Sequence, residues 1–212
     1  LLQNSRPPFP REQFREALSG RDDFQFLGYN PEANPVALRV IDQAEVIFVQ
    51  GGLTRLVSDS KAMGEKYSTT FDGPERVVYV SDYLMDKCPV TVEQYLLFLR
   101  SEDPDGRAGM DGWRWVQEPC AWSVRYDRTE GWVASAKQYL RCPMVQVSWE
   151  GALAYARWVG GSLPTYAQFK RAAAGKYPDY RHFPWGNQPL APQRANYRYE
   201  GSAASPSPVG SL

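Results

Sequence analysis

A Thr-x-x-Gln step occurs twice, at Thr91 to Gln94 and at Thr165 to Gln168, each time just ahead of apolar residues spaced as on a helix. In such a capping box the Thr hydroxyl accepts from the amide three residues on, and the Gln side chain reaches back to the Thr amide. The first box predicts a helix over about 92–100, with Val92, Tyr95, Leu96 and Leu99 turned toward a core. The second predicts a helix over 166–174 in which Phe169, Ala172 and Ala173 form the buried stripe, closed by Gly175. Ser148 is an N-cap for a third helix over 149–159, with Trp149, Ala152, Leu153, Ala156 and Val159 at helical spacing before Gly160 and Gly161.

Strand signals lie between these helices. Val46 to Val49 reads as a buried strand stopped by Gly51 and Gly52, a second strand is expected from Val77 to Met85, and a third from Pro143 to Val147. Trp122 to Tyr126 and Trp132-Val133 flank a polar Asp127–Gly131 turn and read as a hairpin. With 17 Gly, 17 Pro, 7 Trp and 13 Tyr, long irregular segments anchored by aromatic clusters are expected. The fold class is α+β, with small twisted antiparallel sheets, two to three helices and long loops.

Residues 1–44 read as an N-terminal extension or a linker from a preceding domain. Arg6-Pro7-Pro8-Phe9-Pro10, Asn30-Pro31 and Asn34-Pro35 fix φ and withhold donors. One short helix, Arg11 to Leu18, fits between them, packed on the body by Phe14, Leu18, Phe24, Phe26 and Leu27. Residues 45–212 read as the compact domain.

Lys plus Arg and Asp plus Glu are both 24, so neither a basic nucleic-acid surface nor an acidic tail is present. The longest apolar runs fall far short of the roughly 20 residues that cross a bilayer. The partners expected are therefore neither nucleic acid nor membrane. Cys88, Cys120 and Cys142 form no C-x-x-C pair and point to a reducing, cytoplasmic setting with free thiols; a Cys120–Cys142 bridge across the hairpin is the alternative. His182 is the sole imidazole, so a histidine-rich metal site or a triad has at most one candidate.

The segment Pro143-Met-Val-Gln-Val-Ser-Trp-Glu-Gly-Ala-Leu-Ala-Tyr-Ala-Arg-Trp158, followed by Leu163-Pro164-Thr165, Phe169, Pro184-Trp185-Gly186-Asn187 and Ala195-Asn196-Tyr197, resembles the formylglycine-generating enzyme or sulfatase-modifying-factor family. Upstream, Phe48-Val-Gln-Gly-Gly52 and Tyr83-Leu-Met-Asp-Lys-Cys-Pro-Val-Thr91 with Gln94-Tyr95 resemble the same family's opening elements. The resemblance covers roughly 45–212 and implies a C-type-lectin-like fold. It also implies that about the last third of the usual domain, with the copper-holding cysteine pair of the true generators, lies beyond Leu212. Copper, or the iron of an ergothioneine-type sulfoxide synthase, would then need ligands from a longer chain. Asn196 and Tyr197 match the family's Ala-Asn-aromatic step at a structural calcium site, although Ca²⁺ wants six to eight oxygens and only Glu200 follows.

Against this stand plainer readings. Trp149 and Trp158 fill helix positions needed for packing, and Trp185 plugs a loop. Asp103, Asp105 and Asp111 lack EF-hand spacing and read as a solvated loop, as does the polar tip Arg125-Tyr126-Asp127-Arg128. No catalytic residue is identified within 1–212. The chain is expected to act as a binding module for a protein or peptide ligand or for the remainder of the same chain. The alternative is a fragment of an oxidase of this superfamily whose catalytic groups lie elsewhere.

Overall fold

The computed structural model describes residues 11–56, 75–107, 115–117, 120–179, 181–189, 191–196 and 205–211. Helix α1 (Arg11–Leu18) is followed by β1 (Phe24–Tyr29), β2 (Pro35–Arg39) and β3 (Ala44–Val49), then β4 (Gly52–Leu56), β5 (Arg76–Val80) and β6 (Tyr83–Asp86). Helix α2 (Val92–Glu102), the hairpin β7 (Val124–Asp127) and β8 (Gly131–Ala134), a 3-10 turn (Lys137–Tyr139), helix α3 (Trp149–Trp158) and helix α4 (Tyr166–Ala174) follow among the described residues.

Both capping boxes form, with Thr91 and Thr165 each accepting from the amide three residues on, and Ser148 caps α3 through the Gly151 amide. The three helices lie within two residues of their expected ends. The hairpin also forms, pairing Asp127 with Gly131 across its turn.

The strands differ more from expectation. The stretch Val77 to Met85 is two strands in two sheets: β5 pairs with β4, whereas β6 pairs with β3. The break falls at Ser81-Asp82, where the Asp82 carboxylate accepts the Gly51 amide at 2.7 Å and so pins both chain crossings together. Pro143 to Val147 is not a strand; it makes isolated bridges from Pro143 to Thr91 and from Val147 to Val116, with Gln146 at φ 59° between them. A residue at positive φ cannot continue a pleat.

The boundary expected at residue 44 is also corrected. Strands β1 and β2 join β3 and β6 in one antiparallel sheet, order β1-β2-β3-β6, so residues 24–39 are integral to the domain. Phe14 of α1 covers one face of that sheet, packing with Ala37, Val46 and Phe48, its ring 5.4 Å from that of Phe48. Phe24, Phe26 and Leu18 join this cluster as expected, but Leu27 alternates to the other face and is exposed.

A second, larger core centres on α2. Val92, Tyr95, Leu96, Phe98 and Leu99 are buried against Val124 and Trp132 of the hairpin and Tyr155 of α3. Tyr95 stacks on Tyr155 at 5.7 Å, and Phe98 lies 4.8 Å from Trp115. Gly151 permits this approach: a Cβ there would sit 2.4 Å from the Trp115 carbonyl oxygen and 2.6 Å from the Tyr95 hydroxyl.

Candidate functional site

Helices α3 and α4 carry most of the sequence that suggested a function, and each turns an aromatic expected in the core outward, while Ala156 and Val159 of α3 face the core as expected. In α3 the buried residues are Gly151, Tyr155 and Ala156, with Trp158 and Val159 packed on the core. Trp149, expected inside, is 65% exposed. In α4 the inward positions are Arg171 and Ala174, while Phe169 is 55% and Tyr166 59% exposed. Both core assignments, Trp149 and Phe169, are therefore corrected.

The cause in α4 is Arg171. Its guanidinium donates to the carbonyl oxygens of Gln50 at 3.0 and 2.7 Å, Gly51 at 2.9 Å and Leu53 at 3.2 Å, the turn that leads from β3 into β4. Tyr83 adds a hydrogen bond to the Gln168 carbonyl at 2.6 Å. Four charge-assisted bonds to part-buried carbonyls outweigh the transfer of one Phe ring, so the helix turns Arg171 inward and Phe169 outward. Burial lowers the Arg171 pKa, opposed by nearby Tyr83 and Asp82. Burial likewise pushes the Tyr83 hydroxyl up to about 12, against the pull of Arg171.

In α3 the cause is a polar network under Tyr155. Arg39 donates to both Asp42 oxygens at 2.9 and 2.7 Å and to both Asp86 oxygens at 2.8 and 3.0 Å, and the Tyr155 hydroxyl donates to Asp42. Arg39 and Asp42 are 7% and 1% exposed. Burial alone would raise the Asp42 carboxyl, but the donors from Arg39 and Tyr155 outweigh it and hold the group below its ordinary range. Burial also raises Tyr155, which keeps it a donor. Asp42 falls in the stretch that composition marks as a linker and Arg171 in an apolar helix stripe, so sequence patterning offered no signal for either.

The other sequence candidates are dispersed. Asn196 donates through Nδ2 to the Ser205 carbonyl at 2.9 Å and the Ser207 hydroxyl at 2.8 Å, tying the last described residues back; Tyr197 lies outside the described residues, as does Asp111. Asp103 is buried at the end of α2, where its carbonyl and carboxylate accept the Trp132 indole N–H at 2.9 and 3.2 Å. Asp127 is held low by the Thr129 hydroxyl first, then by backbone amides and Arg125, and serves the hairpin turn. Exposed His182 uses its amide on Asn187, and the Phe183 and Trp185 rings stack at 5.1 Å within their loop.

The cysteines Cys88, Cys120 and Cys142 are free; the Cys120–Cys142 bridge is not formed, and the Cys142 thiol donates to the Pro206 carbonyl at 3.7 Å. Among the described residues no three His, Cys, Asp or Glu side chains converge as a metal-ligating group. Among the same residues no helix is long and apolar enough to cross a membrane.

Residues 32–212 match the family model described as "Sulfatase-modifying factor enzyme 1-like domain". A formylglycine-generating enzyme of Thermomonospora curvata is 28% identical over 166 residues, which cover 68% of this chain and 52% of that protein. An inactive C-alpha-formylglycine-generating enzyme 2 of Bos taurus is 30% identical over 146 residues, covering 59% and 48%. A serine/threonine-protein kinase pkn1 of Chlamydia caviae is 27% identical over 154 residues, covering 72% of this chain and 22% of the kinase. The chain spans about half the length of the first two relatives and about a fifth of the third. The small antiparallel sheets and the four α-helices among the described residues fit the α+β architecture of this family, and the match supports the C-type-lectin-like arrangement.

Proposed function

The chain belongs to the sulfatase-modifying factor enzyme 1-like family, and from that premise we propose that residues 1–212 act as a binding module that does not itself carry oxidation chemistry. The observation that carries this reading is the outward aromatic set on α3 and α4. Trp149, Tyr166 and Phe169 stand exposed on the two helices that the family motif supplies, and exposed apolar groups that adjoin in one patch mark an interaction surface. Their occupant is a protein or peptide ligand, or the remainder of the same chain. The relatives' greater length supports the second. A structural calcium at Asn196 and Tyr197 would need further oxygens from outside the described residues, and the three free thiols support a cytoplasmic setting.

A second reading is favoured by the similarity to a formylglycine-generating enzyme over half of that enzyme's length. In it, this chain is part of an oxidase, either a formylglycine generator or a sulfoxide synthase of the ergothioneine type, and the copper or iron ligands come from elsewhere in a longer chain. Oxygen uptake with a Cys-containing peptide and copper decides between the readings when a longer chain containing these residues is assayed, and tests the absence of oxidation chemistry when residues 1–212 are assayed alone. No uptake is expected; uptake with aldehyde formation would overturn the binding-module reading and return attention to Cys88, Cys120 and His182.

A further inference from the structure

The sheet face turned away from Phe14 carries a cleft of about 450 Å³. Strand alternation builds it: Val46 and Phe48 point toward α1, so Glu45 and Ile47 point to the opposite side. Ile47 pairs with Val36 across β2 and β3, and with Leu27 they form an apolar floor. Tyr29 lines one wall, its ring set edge-to-face on Phe26 at 5.5 Å. The lip is the 30–34 turn, fixed by the Asn30 side chain accepting the Asn34 amide at 2.8 Å and by the Asn30 amide donating to the Asn34 carbonyl at 2.9 Å.

On the rim, Lys87 and Glu45 pair at 2.6 Å with both side chains about half exposed, and Glu32 lines the lip. Two carboxylates against one ammonium leave the lining at net −1. An anion would meet Lys87 at the cost of facing both carboxylates. A cation on an apolar body meets Glu32 and the Glu45 pair at once while its body covers the floor. Rearranging an exposed ion pair costs little.

We infer that the Val36–Ile47 cleft, rimmed by Glu32, Glu45 and Lys87 and walled by Tyr29, binds a small organic ammonium group carried on an apolar or aromatic body. The source is either a free amine or the N-terminal residue of a peptide. The inference stands apart from the reading of α3 and α4, which lie on other elements.

The test titrates the ¹⁵N-labelled chain with 2-phenylethylammonium, 2-phenylethanol and 3-phenylpropionate, and with Phe-Gly-Gly-amide and its N-acetylated form. Saturable shifts at residues 27–32 and 45–47 are expected with at least one ammonium probe, which also identifies the source. Its uncharged counterpart should bind about fivefold more weakly, as one screened ion contact allows. The double variant Glu32→Gln, Glu45→Gln, at exposed positions and with folding verified by circular dichroism, should erase that difference. No saturable shifts with either ammonium probe, equal binding of the uncharged forms, tighter binding of the carboxylate, or an unchanged preference in the double variant would each overturn the inference.

Discussion

Tyr155 of α3 donates its phenolic hydrogen to the Asp42 carboxylate, 113 positions earlier in the chain, and so ties the aromatic core around α2 to the four-stranded sheet. Asp42 in turn holds Arg39, which reaches Asp86 on the far strand. Tyr155→Phe removes one donor from a buried charge and keeps the ring packing. A loss of about 1–3 kcal/mol is expected in urea denaturation. Because the folded Asp42 pKa is depressed, its contribution is present above the ordinary carboxylate range and lost as pH falls through the folded value. Asp42→Asn should therefore flatten the acid limb of the stability profile while lowering stability at neutral pH.

Arg171→Met should free the carbonyls of Gln50, Gly51 and Leu53 of their donors and cost on the order of 3 kcal/mol. Arg171→Lys should not rescue it, because an ammonium cannot span three carbonyls that a planar fork reaches. Hydrogen exchange is expected to speed first in α4 and β4, which this side chain joins, and in β5, which pairs with β4.

Gly151→Ala tests packing against propensity. Within a helix the change usually gains about 1 kcal/mol. Here the new Cβ would fall 2.4 Å from the Trp115 carbonyl oxygen, and a net loss of about 1–3 kcal/mol is expected from overpacking. A rise in thermal midpoint would show that α3 sits less tightly on Trp115 than the structure has it.

Leu96→Ala should cost about 2–5 kcal/mol, since Leu96 is 3% exposed in the core. Phe169→Ala and Trp149→Ala should change stability by no more than about 0.5 kcal/mol, being surface truncations. The same pair of substitutions is expected to weaken capture of whatever covers α3 and α4, measured as loss of binding without loss of melting temperature.

The features legible from the residues alone are local ones. Thr91 with Gln94, Thr165 with Gln168, and Ser148 with Gly151 are contacts within one helical turn, so the helix starts were legible without any knowledge of neighbours. The hairpin was legible because its turn residues lie between its strands, and the family because its short motifs run in order along the chain. Only the tertiary structure decided which way α3 and α4 face, where the strand between Val77 and Met85 breaks, and that β1 and β2 belong to the sheet. The helix faces and the strand break rest on polar partners far apart in sequence, Arg171 with carbonyls 118 to 121 positions away, Asp82 with an amide 31 away and Asp42 with Tyr155, whereas β1 and β2 join the sheet through their backbone ladder to β3. Apolar periodicity assumes that the greasy face turns inward. A buried charge reverses that choice when several hydrogen bonds wait for it inside, because leaving those donors and acceptors unpaired costs more than exposing one aromatic ring.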